Sequence, residues 1–507
     1  MGRFIFYFAS QAYYSERRDA FPLKGVTEYG NLVHQYDIPV TWLTNSEGAD
    51  RGKDIFTEFH EDFGDEVILW GMPSTKGNTS HMRDTVLNLS QDEIESFLRK
   101  EQKIVKEILP FARVDHIGWF YRMLPAVRAM QNLGIKSCYG HCWEMIATDG
   151  VTDNGVPWGF YYIDTGESWR RPKQRPSPNG IVATEWLQHD LNKSWNHYGS
   201  CSIFSFDPND VERAKICDGR SIGYWKSAFR EYYRNLKWND FIPFVFHQEA
   251  HEQESTPGGW EVYDQKTVDN TYAMTDEFLK FITSGEFPKM EIMTLVDAVE
   301  EYRKMADSTI PTYMLYKDIP IDMPIWKTRG QAVRNTYAMA KEAEEEAGET
   351  LNVETDYQKF KFLGFPYGWQ GMIQEKSFPE SFVYIDTQCQ LFFHKGRSDP
   401  VKAWNYMTEI DPSPKNLYFN TQLFQLEIYP KLEEVDDGYV ITSASDLPYG
   451  FCIWRDVSNG IPDIIIENDI SDFAELIETK EIGTTLLFCR LNIGQGKNLI
   501  KIDSRGL

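Results

Sequence analysis

Arg3-Phe4-Ile5-Phe6-Tyr7-Phe8-Ala9-Ser10 reads as a strand, and the chain after it repeats one alternation down to about residue 310. Strand-like runs there take turns with helix-like ones, the pattern of parallel strands joined by crossover helices. A helix is expected near 26–35, then a strand at Ile38-Pro39-Val40-Thr41-Trp42-Leu43, then a third strand at Phe63-Gly64-Asp65-Glu66-Val67-Ile68-Leu69-Trp70. Ser90 and Glu93 form an S-x-x-E capping box that opens a helix, and Ile94, Phe97, Leu98, Ile104, Val105, Ile108 and Leu109 recur along it at helical spacing. Further strands are expected at 116–120, 136–139, 241–246 and 291–294, with helices at 124–132, 268–284 and 295–305. Seven or so such units make an α/β protein, an irregular (β/α) barrel either complete or open.

Past residue 326 the texture changes. Residues 326–355 read as a helical connector, and the run Lys341-Glu342-Ala343-Glu344-Glu345-Glu346 within it as a solvated face. From 356 to 507 short β-rich runs follow one another without helical periods, at 382–385, 390–394, 424–429, 439–443, 450–454, 463–467, 485–491 and 498–502. That succession predicts an antiparallel sandwich. The expected domains are therefore a barrel at 1–325, the connector, and a β-sandwich at 356–507.

Composition narrows the function classes. A chain of 507 residues has room for two or three domains, and 42% hydrophobic with 25% charged residues is ordinary globular usage. No run of about 18 apolar residues occurs, so no membrane span is expected. Lys and Arg number 52 against 76 Asp and Glu, and the net charge of −24 repels phosphate backbones and anionic lipid. Nucleic acid is thus excluded as a natural partner. The seven cysteines are scattered, which argues for buried thiols over zinc or disulfides. Aromatic residues make up 15% of the chain, an excess that reads as functional. Met1-Gly2-Arg3 runs straight into the first strand without a leader pattern. The compartment stays open between the cytoplasm and, for a chain whose leader has been removed, the periplasm or exterior.

Four ordered segments across residues 3–306 resemble the polysaccharide deacetylase and glycoside hydrolase superfamily, built on a seven-stranded irregular (β/α) barrel. Asp37-Ile38-Pro39-Val40-Thr41-Trp42-Leu43 is similar to that family's second-strand motif, and Leu89-Ser90-Gln91-Asp92-Glu93 to its helix opening. Ala129-Met130-Gln131-Asn132-Leu133-Gly134-Ile135 resembles its lead-in to a later strand. Phe244-Val245-Phe246-His247, with Ile292-Met293-Thr294-Leu295-Val296-Asp297-Ala298-Val299 further on, resembles its closing pair of segments. The resemblance implies hydrolysis of a glycan or its acyl groups, with His247 in the position of a catalytic histidine. Deacetylases of the family hold a divalent metal through an aspartate on the first strand and a spaced histidine pair. The matching positions here are Phe6-Tyr7-Phe8-Ala9-Ser10, Trp70 and Ser74, none of which supplies such a ligand.

Three polar clusters are candidates for the chemistry. His247-Gln248-Glu249-Ala250-His251-Glu252 is the densest; His247 there is read as a strand-end base or hydrogen-bond donor, with Glu249 touching substrate. No cofactor or metal is expected, the alternative being an ion held by His247 and His251. The second cluster follows the strand at 136–139, at the rim where barrel active sites are built. It carries Trp143, Trp158, Tyr161 and Tyr162 as a sugar platform, with Glu144, Asp149 and Asp153 as acid and base candidates. Asp149-Gly150 and Asp153-Asn154-Gly155 also read as plain turns. Trp186 and His189 form the third cluster, with a substrate-binding or a structural role. Gly258-Gly259 and Gly494-Gln495-Gly496 lack nucleotide-loop spacing, and no G-x-S-x-G occurs.

The expected function is carbohydrate-active and hydrolase-like, acting on a glycan at the carboxyl-terminal rim of the barrel by glycosidic-bond or acyl hydrolysis. The alternative is a barrel of the same fold that has lost catalysis and only binds glycan.

Overall fold

The computed structural model describes residues 2–16, 18–71, 90–118, 124–139, 159–163, 180–184, 206, 208, 222–234, 236, 239–257, 263–306 and the strands between 370 and 503. Strand β1 (Arg3–Gln11) is buried on both faces, as an uninterrupted apolar run requires of a strand inside a parallel sheet. It pairs with β8 (Phe241–Glu249) along its whole length. Its other edge is divided, Phe4–Phe6 pairing with β9 (Met290–Ile292) and Phe8–Gln11 with β2 (Val40–Thr44).

From β2 the sheet continues through β3 (Glu66–Trp70), β4 (Arg113–Gly118), β5 (Ser137–Tyr139) and β7 (Val182–Thr184), all parallel, and ends on β6 (Tyr161–Tyr162), which is antiparallel to β7. Eight strands thus lie in the order β6-β7-β5-β4-β3-β2-β1-β8, curled into a half-barrel. Phe160, next to β6, has its ring 5.5 Å from that of Phe241 on β8, so the two ends of the path approach across one enclosed face.

The helices are α1 (Leu23–His34), α2 (Ser46–Arg51), α3 (Lys53–Phe63), α4 (Gln91–Ile108), α5 (Leu124–Asn132), α6 (Gly223–Arg234), α7 (Gln265–Ile282) and α8 (Leu295–Met305). The capping box at Ser90 and Glu93 is formed and opens α4. Helices α2, α3 and α6 and strands β6 and β7 are additions to the elements the sequence predicts. Strand β3 begins later than expected because Phe63 closes α3 and Gly64 takes a left-handed φ of 77° to end it. Thr294 is no longer strand, since its hydroxyl accepts from the Asp297 amide as the N-cap of α8.

Many of the described aromatic residues pack in the outer layer. Phe4, Phe6 and Phe8 interleave with Phe244 and Phe246 of β8, and Tyr29, Trp225, Phe229 and Phe278 cover them from α1, α6 and α7. Edge-to-face and offset pairs of this kind each contribute about 0.5–1.5 kcal/mol beyond the area they bury.

Two buried carboxylates set the lower part of the sheet. Asp65, just before β3, accepts from the Val40 amide at 2.8 Å and the Trp42 indole at 2.6 Å, with His34 Nε2 at 2.9 Å. Glu66 accepts from the Thr41 hydroxyl and the Val296 amide, both at 2.8 Å, while the Thr41 hydroxyl oxygen accepts from the Leu295 amide. The amino-terminal end of α8 is thereby tied to β2 and β3. At its other end Tyr162 Oη donates to the Ala306 carbonyl at 2.9 Å. Leu295, Val296, Ala298, Val299 and Tyr302 fill the enclosed face between these ties, so α8 floors the half-barrel.

Beyond residue 370 the described strands are β10 (Gln370–Ile373), β11 (Val383–Asp386), β12 (Gln390–Phe393), β13 (Lys431–Val435), β14 (Gly438–Ser443), β15 (Leu447–Asp456), β16 (Asp463–Glu467), β17 (Ser471–Thr479), β18 (Thr484–Ile493) and β19 (Gly496–Asp503), and they form two sheets, one ordered β10-β11-β12-β15-β18-β17 and one β13-β14-β19-β16. Most of their pairs are antiparallel, but β12 (Gln390–Phe393) runs parallel to β15 (Leu447–Asp456). The predicted strand at 424–429 lies outside the described residues, as does the connector. Cys138 is buried.

Burial raises the Glu66 carboxyl from 4.5 to about 7, against the partial opposition of its hydrogen bonds to Val296 and Thr41. Below pH 4.5 folded and unfolded chains both hold this proton; from there up to about 7 the unfolded chain releases it while the folded chain keeps it, so stability is lost across that window and the loss is complete once the folded group ionises. The loss from this one group is roughly 3 kcal/mol. Glu66→Gln is expected to remove this pH-dependent part, gaining on wild type between pH 5 and pH 8 in thermal unfolding; parallel curves for the two proteins would contradict it.

Candidate functional site

Parallel strands leave their carboxyl-terminal ends side by side, and register decides which side chains meet there. Gln11 stands level with Glu249, and Ala9 with His247, so Gln11, His247 and Glu249 share the enclosed face at the upper end of β1 and β8. Tyr139, the last residue of β5, reaches them from across the sheet, its hydroxyl 2.7 Å from His247 Nδ1. On the far side of His247, Gln11 Nε2 lies 3.5 Å from Nε2 and Glu249 Oε1 lies 3.9 Å from it.

Glu249 is the centre of the arrangement. Its Oε1 accepts from Gln11 Nε2 at 2.5 Å and its Oε2 lies 2.8 Å from His251 Nε2. Its side chain is 18% exposed, whereas His247 is 1% exposed. Burial alone would raise the Glu249 carboxyl, but the adjacent His251 and His247 outweigh it and hold the group well below the usual carboxylate range. Burial pushes His247 down, partly offset by Glu249, so its imidazole is neutral near pH 7. An ionised carboxylate with some access to solvent is therefore backed by a neutral, enclosed histidine. In this geometry His247 positions Glu249 and Tyr139, and Glu249 is the group placed to meet a ligand.

The 3₁₀ turn Ala250–Gln253 carries His251 and Glu252 immediately after β8. Glu252 Oε1 accepts from the Tyr263 hydroxyl at 3.3 Å. Tyr13, two residues beyond β1, stacks on Trp70 at the end of β3 with ring centroids 4.4 Å apart and planes 5° from parallel. The Tyr13 ring also meets His251 edge-on at 5.9 Å. An aromatic pair so stands beside the Glu249–His251 pair.

Of the residues singled out in the sequence, the structure brings His247, Glu249 and His251 together. Not in a helix, as an H-x-x-x-H pair would be, His247 ends on a strand and His251 lies in the turn after it. Tyr161 and Tyr162, expected in an open rim loop, form the short edge strand β6 and are buried, Tyr162 packing its ring on Tyr302. Glu144, Asp149, Asp153, Trp143, Trp158, Trp186 and His189 lie outside the described residues. Gln11, Tyr139, Tyr13 and Trp70 also belong to the constellation and are not among the residues the sequence singles out. Tyr139 closes the strand expected at 136–139, whereas Gln11 lies one residue past the strand expected at Arg3–Ser10 and joins the site through the register of β1 with β8.

The metal that the deacetylase resemblance implies does not fit its family positions. Tyr7 and Ala9 on the enclosed face of β1 offer no carboxylate, and Trp70 is committed to its stack with Tyr13. No step is derived through such an ion.

No family model matches the chain, and no curated protein does. Among solved structures, a Mycobacterium smegmatis protein assigned as a polysaccharide deacetylase is 11% identical, with a TM-score of 0.36 over 62% of this chain and 96% of its own. The 4-α-glucanotransferase of Thermococcus litoralis is 10% identical at a TM-score of 0.35, over 99% of this chain and all of its own. PuuE allantoinase is 12% identical at 0.33, over 60% and 91%. No helix among the described residues is long and apolar enough to cross a membrane.

Helix α1 has no side-chain cap of its own; instead Glu254 Oε2 accepts from the Gly25 amide at 2.7 Å, beside the turn that carries His251. A Cβ on Gly25 would fall 1.9 Å from the Ala250 carbonyl oxygen. Gly25→Ala must therefore push the 3₁₀ turn away from α1, and about 1–3 kcal/mol of stability should go with it. Thermal unfolding checks this; an unchanged melting temperature would show that the turn is not clamped there.

Proposed function

We propose that the chain is a carbohydrate-active hydrolase-like protein that acts on a glycan at the carboxyl-terminal rim of the half-barrel, by glycosidic-bond or acyl hydrolysis. The observation that carries this reading is the ionised Glu249, held between Gln11 and His251 at the ends of parallel strands and flanked by the Tyr13–Trp70 stack. A carboxylate beside an apolar aromatic face is what a sugar offers contacts for, its C–H face to the rings and its hydroxyls to the polar groups. The domain plan keeps the half-barrel at 1–325, a connector at 326–355 and a β-sandwich at 356–507.

Hydrolysis at an acetal needs a proton donor to the leaving oxygen and a carboxylate that attacks the anomeric carbon or activates water. Glu249 takes the carboxylate role, with His247 positioning it. The donor is sought among Glu144, Asp149 and Asp153. Support comes from the start of their segment, since it follows Tyr139, which bonds to His247. Trp186 and His189 come soon after Thr184 in the sequence, and Thr184 is level with Tyr139 across β5 and β7, which supports including them as substrate contacts. Trp143 and Trp158 would extend the aromatic platform.

A second reading, glycan binding without turnover, is favoured by Trp70 standing where the family places a metal ligand. A panel of chromogenic glycosides and acetylated sugars, run on wild type, Glu249→Gln, Asp149→Asn and His247→Ala, separates the two. Turnover that falls more than about 100-fold in Glu249→Gln supports the hydrolase. Glycan capture on an array with no turnover supports binding alone, and equal activity in all four proteins would remove the site.

A further inference from the structure

At the end of β8 one ligand atom each from Glu249, His251 and Glu252 lies within 4.8 Å of the other two. We infer that these three side chains form a binding site for a first-row divalent transition ion of the zinc type. The site differs in residues and position from the one the deacetylase resemblance implies, which this chain lacks.

Donor chemistry favours that class of ion. One imidazole with two carboxylates suits zinc, manganese or iron, whereas calcium and magnesium take oxygen donors. Two carboxylates also balance a divalent charge, which matters where solvent is scarce. Tetrahedral ligands at zinc distances stand about 3.3 Å apart. Glu249 Oε2 and His251 Nε2 are already at 2.8 Å, so the ion replaces the hydrogen between them with an opening of about 0.5 Å. The donor oxygen of Glu252 stands within 4.8 Å of the other two donors.

The surroundings hold the donors as outer partners of metal ligands do. Gln11 Nε2 fixes the other oxygen of Glu249, and the Tyr263 hydroxyl bonds to Glu252. His251 is oriented by the edge contact with Tyr13. Three protein ligands in a tetrahedral site leave the fourth position to water or a ligand oxygen.

The test uses the full chain, freed of metal by a chelator and titrated with zinc against a chromophoric indicator, with no sugar present. Wild type is expected to bind one equivalent and to melt higher in zinc but not in magnesium. His251→Gln and Glu252→Gln, each checked for native circular dichroism, are expected to bind more than about 100-fold more weakly, beyond the effect of losing an outer partner. No stoichiometric zinc in wild type, no zinc-specific rise in its melting temperature, or wild-type affinity in both variants would overturn the inference. Zinc bound without any hydrolysis would leave the metal site and remove the hydrolase. Hydrolysis by a chain that binds none would do the reverse.

Discussion

The register between β1 and β8 is the constraint on which the rest depends. It sets Gln11 level with Glu249 and Ala9 level with His247, and so brings three polar residues, Gln11, His247 and Glu249, together on one face. A slip of one residue would carry Gln11 to the outer face among the phenylalanines and leave Glu249 without its amide donor. The double pairing of β1 makes the register costly to change. Its lower half is gripped between β8 and β9 and its upper half between β8 and β2.

The two faces of the sheet are built on different chemistry. Outside, over β1 and β8, ring packs on ring. Inside, the floor is made by a helix whose free amides require an acceptor, and Glu66 and Thr41 supply it. A carboxylate there is an expensive acceptor in an apolar place, which is why its proton is held to a higher pH than usual. Glu249 at the upper end has the opposite fate because two imidazoles stand beside it.

The sheet was readable from sequence wherever a strand is a long apolar run or a helix has a cap and a period. Arg3–Gln11, the Ser90–Glu93 box and the apolar face of α8 are of this kind. Two-residue and three-residue strands such as Tyr161–Tyr162 and Val182–Thr184 carry no period, and they exist because neighbouring edges need partners. The site was half readable. His247, Glu249 and His251 declare themselves as polar residues crowded behind a strand. Gln11, Tyr13, Trp70 and Tyr139 join them only through register and ring stacking, which depend on residues far away in the chain. The aromatic excess showed the same limit, since composition does not distinguish rings that pack a sheet from rings that face a ligand.

The divided edge of β1 also governs the order in which the molecule can be made. Arg3 pairs across the sheet with Phe241, and its guanidinium binds Glu291, 288 residues away. A chain growing from its amino terminus therefore exposes a strand of phenylalanines whose β8 and β9 partners have not been synthesised. Contacts of such sequence separation slow folding, and an unpaired apolar edge invites association with other chains while it waits. The strand that organises the finished sheet is thus the one most in need of protection during synthesis.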